Sequence, residues 1–150
     1  MKVNEQFRKR VAALFRSQNL ATLSTQQAGQ PYASLVAFVA SDDLRHIYFA
    51  TPTTTRKYAN LVADSRVAML INSSSNQTSD FHRAISVTAV GRAKDVSGKD
   101  KKQILKQYLA KHPHLEAFVH SPTCALVQVS VDSYYMVKNF QNVTELHLKP

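Results

Sequence analysis

The sequence predicts a mainly β domain: an antiparallel barrel of six to eight strands with three or four peripheral helices. Three observations carry this. Short runs rich in Val, Ile, Phe, Tyr and Thr follow one another across turns, some with the alternation of half-buried strands and others apolar enough to be covered on both faces. The regular strand–helix alternation that a doubly wound parallel sheet requires is missing. At 150 residues and 44% hydrophobic content, the chain has the size and apolar share of one domain, residues 1–150, with its own core.

The elements follow in order. Residues 4–18 read as an amphipathic helix, with Phe7, Val11, Leu14 and Phe15 at helical spacing and Arg8, Lys9, Arg10 and Arg16 on the other faces. Leu20–Thr25 and Tyr32–Ala40 form a hairpin across a turn built on Gly29 and Pro31. After Ser41-Asp42-Asp43 comes the strand His46–Ala50, then a Thr/Pro run, Thr51–Thr55, that opens a helix over Arg56–Ala63. Strands are expected at Arg66–Asn72 and, past the polar loop Ser73–Asp80, at Ala84–Asp95. Ser97 caps a helix over 98–111 that points Ile104, Leu105, Tyr108 and Leu109 inward and stops at His112-Pro113. A short helical piece at Leu115–Val119 precedes three last strands, Cys124–Val131, Tyr134–Lys138 and Val143–Leu148.

Composition excludes several classes. The three glycines, Gly29, Gly91 and Gly98, stand alone, so no glycine-rich phosphate loop can be written. One cysteine, Cys124, excludes an internal disulfide framework or a cysteine-rich metal site and fits a reducing, cytoplasmic setting. The longest apolar run, Leu35–Ala40, is far short of a membrane span. A formal charge of +9 points to an anionic ligand or partner. RNA is one such partner, but the aromatics are not interleaved with cations as base-stacking platforms require, which argues against nucleic acid.

The most informative stretch is Tyr48-Phe49-Ala50-Thr51-Pro52-Thr53-Thr54-Thr55-Arg56-Lys57-Tyr58. A strand ends, threonines follow, and two cations occupy the first turn of a helix, where each opposes the macrodipole by roughly 0.3–1 kcal/mol. Free N–H groups, hydroxyls and two cations together make a phosphate site without glycine. The plainer reading is that Thr54 or Thr55 caps the helix while Arg56 and Lys57 are solvated.

In order and spacing, Gly29-Gln30-Pro31-Tyr32-x-x-x-Val36, Ile47-Tyr48-Phe49-Ala50-Thr51, Arg56-Lys57 and Asp64-Ser65-Arg66-Val67-Ala68-Met69-Leu70 resemble the pyridoxamine 5′-phosphate oxidase-like family, over roughly residues 20–95. The resemblance implies a split β-barrel, usually a homodimer, with FMN at the subunit interface. It implies that Arg56 and Lys57, with Thr55 before them, grip the FMN phosphate. Ser34, Leu35 and Val36 would run beside the flavin, Phe49, Ala50 and Thr51 would back its ring and ribityl chain, and Ser86 would supply a small polar contact.

The departures are specific. The oxidases carry arginine where Ser34 stands, and a C-terminal tryptophan followed by arginine; this chain has no Trp, and no arginine follows Arg92. The expected function is therefore an FMN-dependent oxidoreductase with a small-molecule electron donor or acceptor, not a vitamin B6 oxidase. The alternatives are a non-catalytic flavin, deazaflavin or heme binder and, behind these, an RNA-binding basic domain. His112-x-His114 with His120 suggests heme or metal, against the simpler account of helix-end histidines favoured by the dipole. The segment Tyr134–Asn142 either caps the flavin or finishes the barrel core.

Overall fold

A computed structural model describes residues 2–148, with side chains from residue 4. The order is α1 (Lys2–Ser17), β1 (Leu20–Gln27), β2 (Gln30–Ala40), β3 (His46–Pro52), α2 (Arg56–Ala63), β4 (Arg66–Asn72), α3 (Asp80–Arg83), β5 (Ile85–Asp95), α4 (Asp100–Lys111), a 3₁₀ turn (Pro113–Leu115), α5 (Glu116–Val119), β6 (Cys124–Lys138) and β7 (Asn142–His147). The strands form one antiparallel sheet in the order β3-β2-β1-β4-β5-β6-β7, and β3 pairs with β6 to close six of them into a barrel. The first half of β6 carries β3 and its second half carries β7. This is the expected mainly β barrel with helices around it.

The barrel fills with alternating side chains. In β1, Ala21, Leu23 and Thr25 point inward, and Leu20, Thr22 and Ser24 face out. The α1 stripe Phe7, Val11, Leu14 and Phe15 is buried on the same core, with Phe15 edge-on to Phe38 at 5.5 Å. A second, smaller cluster lies outside β2, β3 and β6, where α4 and α5 cover Val39, Tyr48, Ala50 and Leu126 with Ile104, Tyr108 and Val119. Among the described residues no helix is long and apolar enough to cross a membrane.

Three local expectations are corrected. The two strands expected at Cys124–Val131 and Tyr134–Lys138 are one strand, β6, because Asp132 bulges out between them; Val90 pairs with Ser133 and Gly91 with Val131. Ser97 does not cap α4, which starts at Asp100 after Lys99 with no side-chain cap. The polar loop Ser73–Asp80 runs into a fifth helix, α3: the Asp80 carboxylate accepts from the Ser75 and Gln77 amides and folds the loop back on itself. The last hairpin serves the core at Tyr134, which is fully buried and donates to the Leu44 carbonyl at 2.6 Å, and at Met136.

At the bulge, a Cβ on Gly91 would lie 2.1 Å from the Ser130 carbonyl oxygen. Backbone must move to accept it, so Gly91→Ala is expected to cost about 2–4 kcal/mol of stability. Urea denaturation with an unchanged midpoint would contradict this.

Candidate functional site

The barrel is not sealed along its whole height. β2 pairs with β3 only through Phe38–Phe49, Val39–Tyr48 and Ala40–Ile47. Beyond Phe49, β3 stays with β6, pairing Ala50 with Leu126 and Thr51 with Ala125, while β2 stays with β1. A seam opens between Tyr32–Ala37 and Ala50–Pro52.

The Tyr108 hydroxyl from α4 donates across the top of the seam to the Ala37 carbonyl at 3.0 Å. Burial pushes that phenol up to about 12, so it stays a donor at neutral pH. In an antiparallel ladder, peptide groups point to the same side at every second residue. The N–H and C=O of Leu35 therefore face the seam as the Ala37 carbonyl does.

The seam residues differ in what they offer. Phe49 lies inside the barrel, and Ala50 is buried beneath α4. Val36 is core, and the Leu35 side chain points outward at 64% exposure, so Leu35 and Val36 can offer only backbone to a ligand in the seam. Ser34 pairs with Leu23 and shares its inward face. Its hydroxyl oxygen is buried with no hydrogen-bond partner, a state that costs about 1–3 kcal/mol unless something supplies one.

At the foot of the seam, threonines build the turn into α2. The hydroxyls of Thr51 and Thr55 lie 3.0 Å apart, and each reaches the Pro52 carbonyl, at 3.1 and 3.0 Å. Thr55 also accepts the Tyr58 amide at 3.3 Å and so caps the helix. The amides of Arg56 and Lys57 keep no acceptor among the described residues.

Arg56 is exposed, its guanidinium 5.8 Å from the centre of the Tyr32 ring on β2, and Lys57 is half-buried. Neither makes an ion pair among the described residues. The helix is pinned in this pose by a buried bond from the Asn60 amide to the Thr25 hydroxyl at 3.1 Å, and by Leu61 in the core.

Eight sequence-predicted residues thus converge: Ser34, Leu35 and Val36 on one side of the seam, Ala50 and Thr51 on the other, and Thr55, Arg56 and Lys57 at its foot. Phe49 supports them from within. Ser86 does not join them in one protomer. It sits on β5, paired with Asn72 and Val137, three strands around the sheet from β2. Tyr108 and Tyr32 were not singled out as site residues in the sequence. Tyr108 reads there as one more inward helix residue, and only the docking of α4 reveals its hydroxyl at the seam.

The histidines divide. His114 and His120 are exposed, but His112 is 2% exposed and its Nε2 lies 2.8 Å from the Phe38 carbonyl. Burial holds its pKa below the usual value, so it is not a helix-end cation favoured by the dipole. Its neighbour Lys111 donates to the Phe15 carbonyl at 2.8 Å and lies 3.9 Å from the Phe38 ring centre.

A family model for pyridoxamine 5′-phosphate oxidase matches residues 7–138. No curated protein matches the chain. A heme binding protein from Mycobacterium smegmatis superposes with TM-score 0.79 at 17% identity, over 93% of this chain and 56% of its own. The chain therefore spans little more than half of that protein. General stress protein 26 from Bacillus anthracis gives 0.72 at 17% identity, over 95% of this chain and 98% of its own. A FAD-binding protein from Mesorhizobium loti gives 0.69 at 15% identity, over 85% and 90%. At these identities the likeness is one of fold.

Two buried bases set a pH dependence. Burial depresses His112, so the unfolded chain binds its proton more readily and stability falls as pH drops below about 6.5. Burial likewise pushes Lys111 down to about 8. The unfolded chain then holds this proton more firmly between about pH 8 and 10, a contribution to stability that rises across the window at less than about 1.4 kcal/mol per pH unit, while the raised Cys124 thiol and tyrosines act in the opposite sense toward its upper end. The difference in urea midpoint between the wild type and Lys111→Met should therefore grow from pH 8 to 10, and the fall below about 6.5 should be kept in both. A difference that does not change between pH 8 and 10 would contradict the account.

Proposed function

The chain belongs to the pyridoxamine 5′-phosphate oxidase family, and on that footing we propose that it holds FMN non-covalently at the interface of a homodimer, as an oxidoreductase acting on a small-molecule electron donor or acceptor. The observation that carries this is the seam. Along the seam come a free strand edge, a buried hydroxyl with no partner among the described residues, and a helix N-terminus with two cations that form no ion pair among them, the kinds of group a flavin ring, its ribityl chain and its phosphate would need.

Each group has a task. The free amides of Arg56 and Lys57, with their side chains, would neutralise a phosphate dianion, and the stacking of Arg56 near Tyr32 sets the direction of the guanidinium. The Leu35 peptide and the Ser34 hydroxyl would hydrogen-bond the edge of the ring. Tyr108 bridges the top of the seam and keeps water from entering behind the ligand. FMN, when bound, supplies two-electron chemistry. No side chain at the seam is placed as an acid or base, so the chain's contribution is binding, orientation and exclusion of water.

The Nε2 of His112 already faces the Phe38 carbonyl, which takes this one histidine out of a heme ligand set. Burial raises the Cys124 thiol, which argues against its acting as a nucleophile; the lone cysteine supports a reducing, cytoplasmic setting.

The dimer is supported by the outer face of the sheet. Leu35, Thr22, Leu70 and Thr88 lie in one row across β2, β1, β4 and β5, flanked by Leu20 and Val90. Leu20, Leu35, Leu70 and Val90 are 54, 64, 38 and 37% exposed. Exposed leucines and a valine spread along one sheet face in this way support an association surface there. It borders the seam at Leu35, so a second copy seated there would wall the ligand in.

Arg56→Ala with Lys57→Ala should weaken FMN binding by one to a few orders of magnitude, from lost charge-assisted contacts of about 1.5–3 kcal/mol each. Calorimetric titration giving wild-type affinity would overturn the phosphate assignment. Leu35→Asp with Leu70→Asp should convert the dimer to monomers in sedimentation and lower flavin retention; an unchanged sedimentation coefficient would remove this face as the interface.

A further inference from the structure

The outer face of α4 carries charge that the seam does not use. A groove of about 500 Å³ runs along it, within the range of small-molecule sites. Lys99, Lys102 and Lys106 stand exposed on one side, and Leu105 and Leu109 form the floor. His120, just past α5, lines the groove from the α5 side.

Helical spacing sets a cationic row beside an apolar one. Lys102 and Lys106 are four residues apart, as are Leu105 and Leu109, and each leucine follows a lysine by three. The leucines pack against the cluster beneath α4 and keep part of their surface in the groove. Two lysines at this spacing repel each other. No Asp or Glu lines the groove, and none of its three lysines makes an ion pair among the described residues.

The lining limits what can enter. A solvated helix face usually mixes charge signs, but α4 holds one acid, Asp100, against Lys101, Lys102, Lys106 and Lys111. A small polar anion would leave Leu105 and Leu109 wet, and a neutral hydrocarbon would leave the lysines repelling each other. An anionic head on an apolar tail satisfies both rows. From Lys99 to Leu109 the groove follows about 15 Å of helix, room for a chain rather than a short acid.

We propose that the α4 groove binds a long-chain fatty acid, its carboxylate between Lys102 and Lys106 and its alkyl chain along Leu105 and Leu109. Lys99 adds to the positive field at the head, and the lysine stems add apolar surface to the wall beside the tail. The site is separate from the seam and does not rest on the flavin reading. Tyr108, two residues on from Lys106, is buried and reaches the Ala37 carbonyl on the barrel side of the helix.

The test uses the full chain and cis-parinaric acid, a fatty acid whose polyene fluoresces on leaving water. The chain has no tryptophan, so protein background is low. Binding should be saturable. Laurate should displace the probe, whereas acetate, which lacks the tail, and dodecanol, which lacks the charge, should not do so at the same concentration. Lys102→Glu/Lys106→Glu should weaken binding at least tenfold, and Lys102→Gln/Lys106→Gln, which removes the repulsion with the charge, should weaken it while keeping the wild-type melting temperature. Arg56→Ala/Lys57→Ala should bind the probe as the wild type does. No saturable binding overturns the proposal, as does displacement by dodecanol equal to that by laurate, or an affinity indifferent to both lysine variants. Pelleting with phosphatidylglycerol vesicles separates the free acid from a bilayer surface. The protein should stay in the supernatant, and pelleting that depends on Lys102 and Lys106 would overturn the proposal in favour of a membrane-docking face. Failure of the flavin reading shows separately, as FMN affinity that is indifferent to Arg56 and Lys57.

Discussion

β3 has two edges and divides them unequally. It pairs with β6 along its whole length, from Pro52–Cys124 to His46–Ser130, but meets β2 at only three residues. Because β6 closes the barrel through β3, the lower part of β2 is left with one bonded edge and one open edge. Backbone groups buried without partners are costly, so an open edge beside a core must be met by side chains, water or a ligand. Tyr108 meets it at Ala37. Below that point the Leu35 peptide faces the open edge, and the buried Ser34 hydroxyl has no hydrogen-bond partner among the described residues. The seam, the helix that stops its lower end and the apolar face beside it all follow from this division.

Charge completes the site at that lower end. Thr55 already caps α2, so Arg56 and Lys57 add nothing to capping and oppose the helix dipole. Such placement is unfavourable in the empty protein and favourable once an anion sits among the free amides. Most of the other cations of the +9 chain lie along α1 and from Arg92 to Lys111, with Arg45, Arg66, Arg83, Lys138 and Lys149 scattered elsewhere in the sequence. The seam is where positive charge, hydrogen-bond donors and unsatisfied polar groups coincide.

Much of this was legible in the sequence because it is local. The 3.6-residue stripe of α1 names four residues that are all buried, and the hairpin turns at Ala28-Gly29 as expected of Gly29, although Pro31, expected in the turn, already lies in β2 opposite Gln26. The run from Thr51 to Lys57 announces a helix cap, which the structure supplies directly, and carries the proposed phosphate grip. The parts that were not legible depend on pairings far apart in the chain. Asp132 reads as a strand break until Gly91, more than forty residues earlier, is seen to let the strands close around a bulge. His112 reads as a helix-end cation until α4 docks and buries it against Phe38. Ser86 lies on the barrel, but it lines a hollow with Phe81 and Phe140 whose existence no local pattern signals.

The central claim is that the seam takes a flavin, and the visible spectrum tests it most directly. Protein incubated with FMN and passed through gel filtration should remain yellow, with two bands near about 375 and 450 nm carried by the cofactor. A colourless protein after this treatment, or a single Soret band in protein as purified that FMN does not displace, would contradict the account.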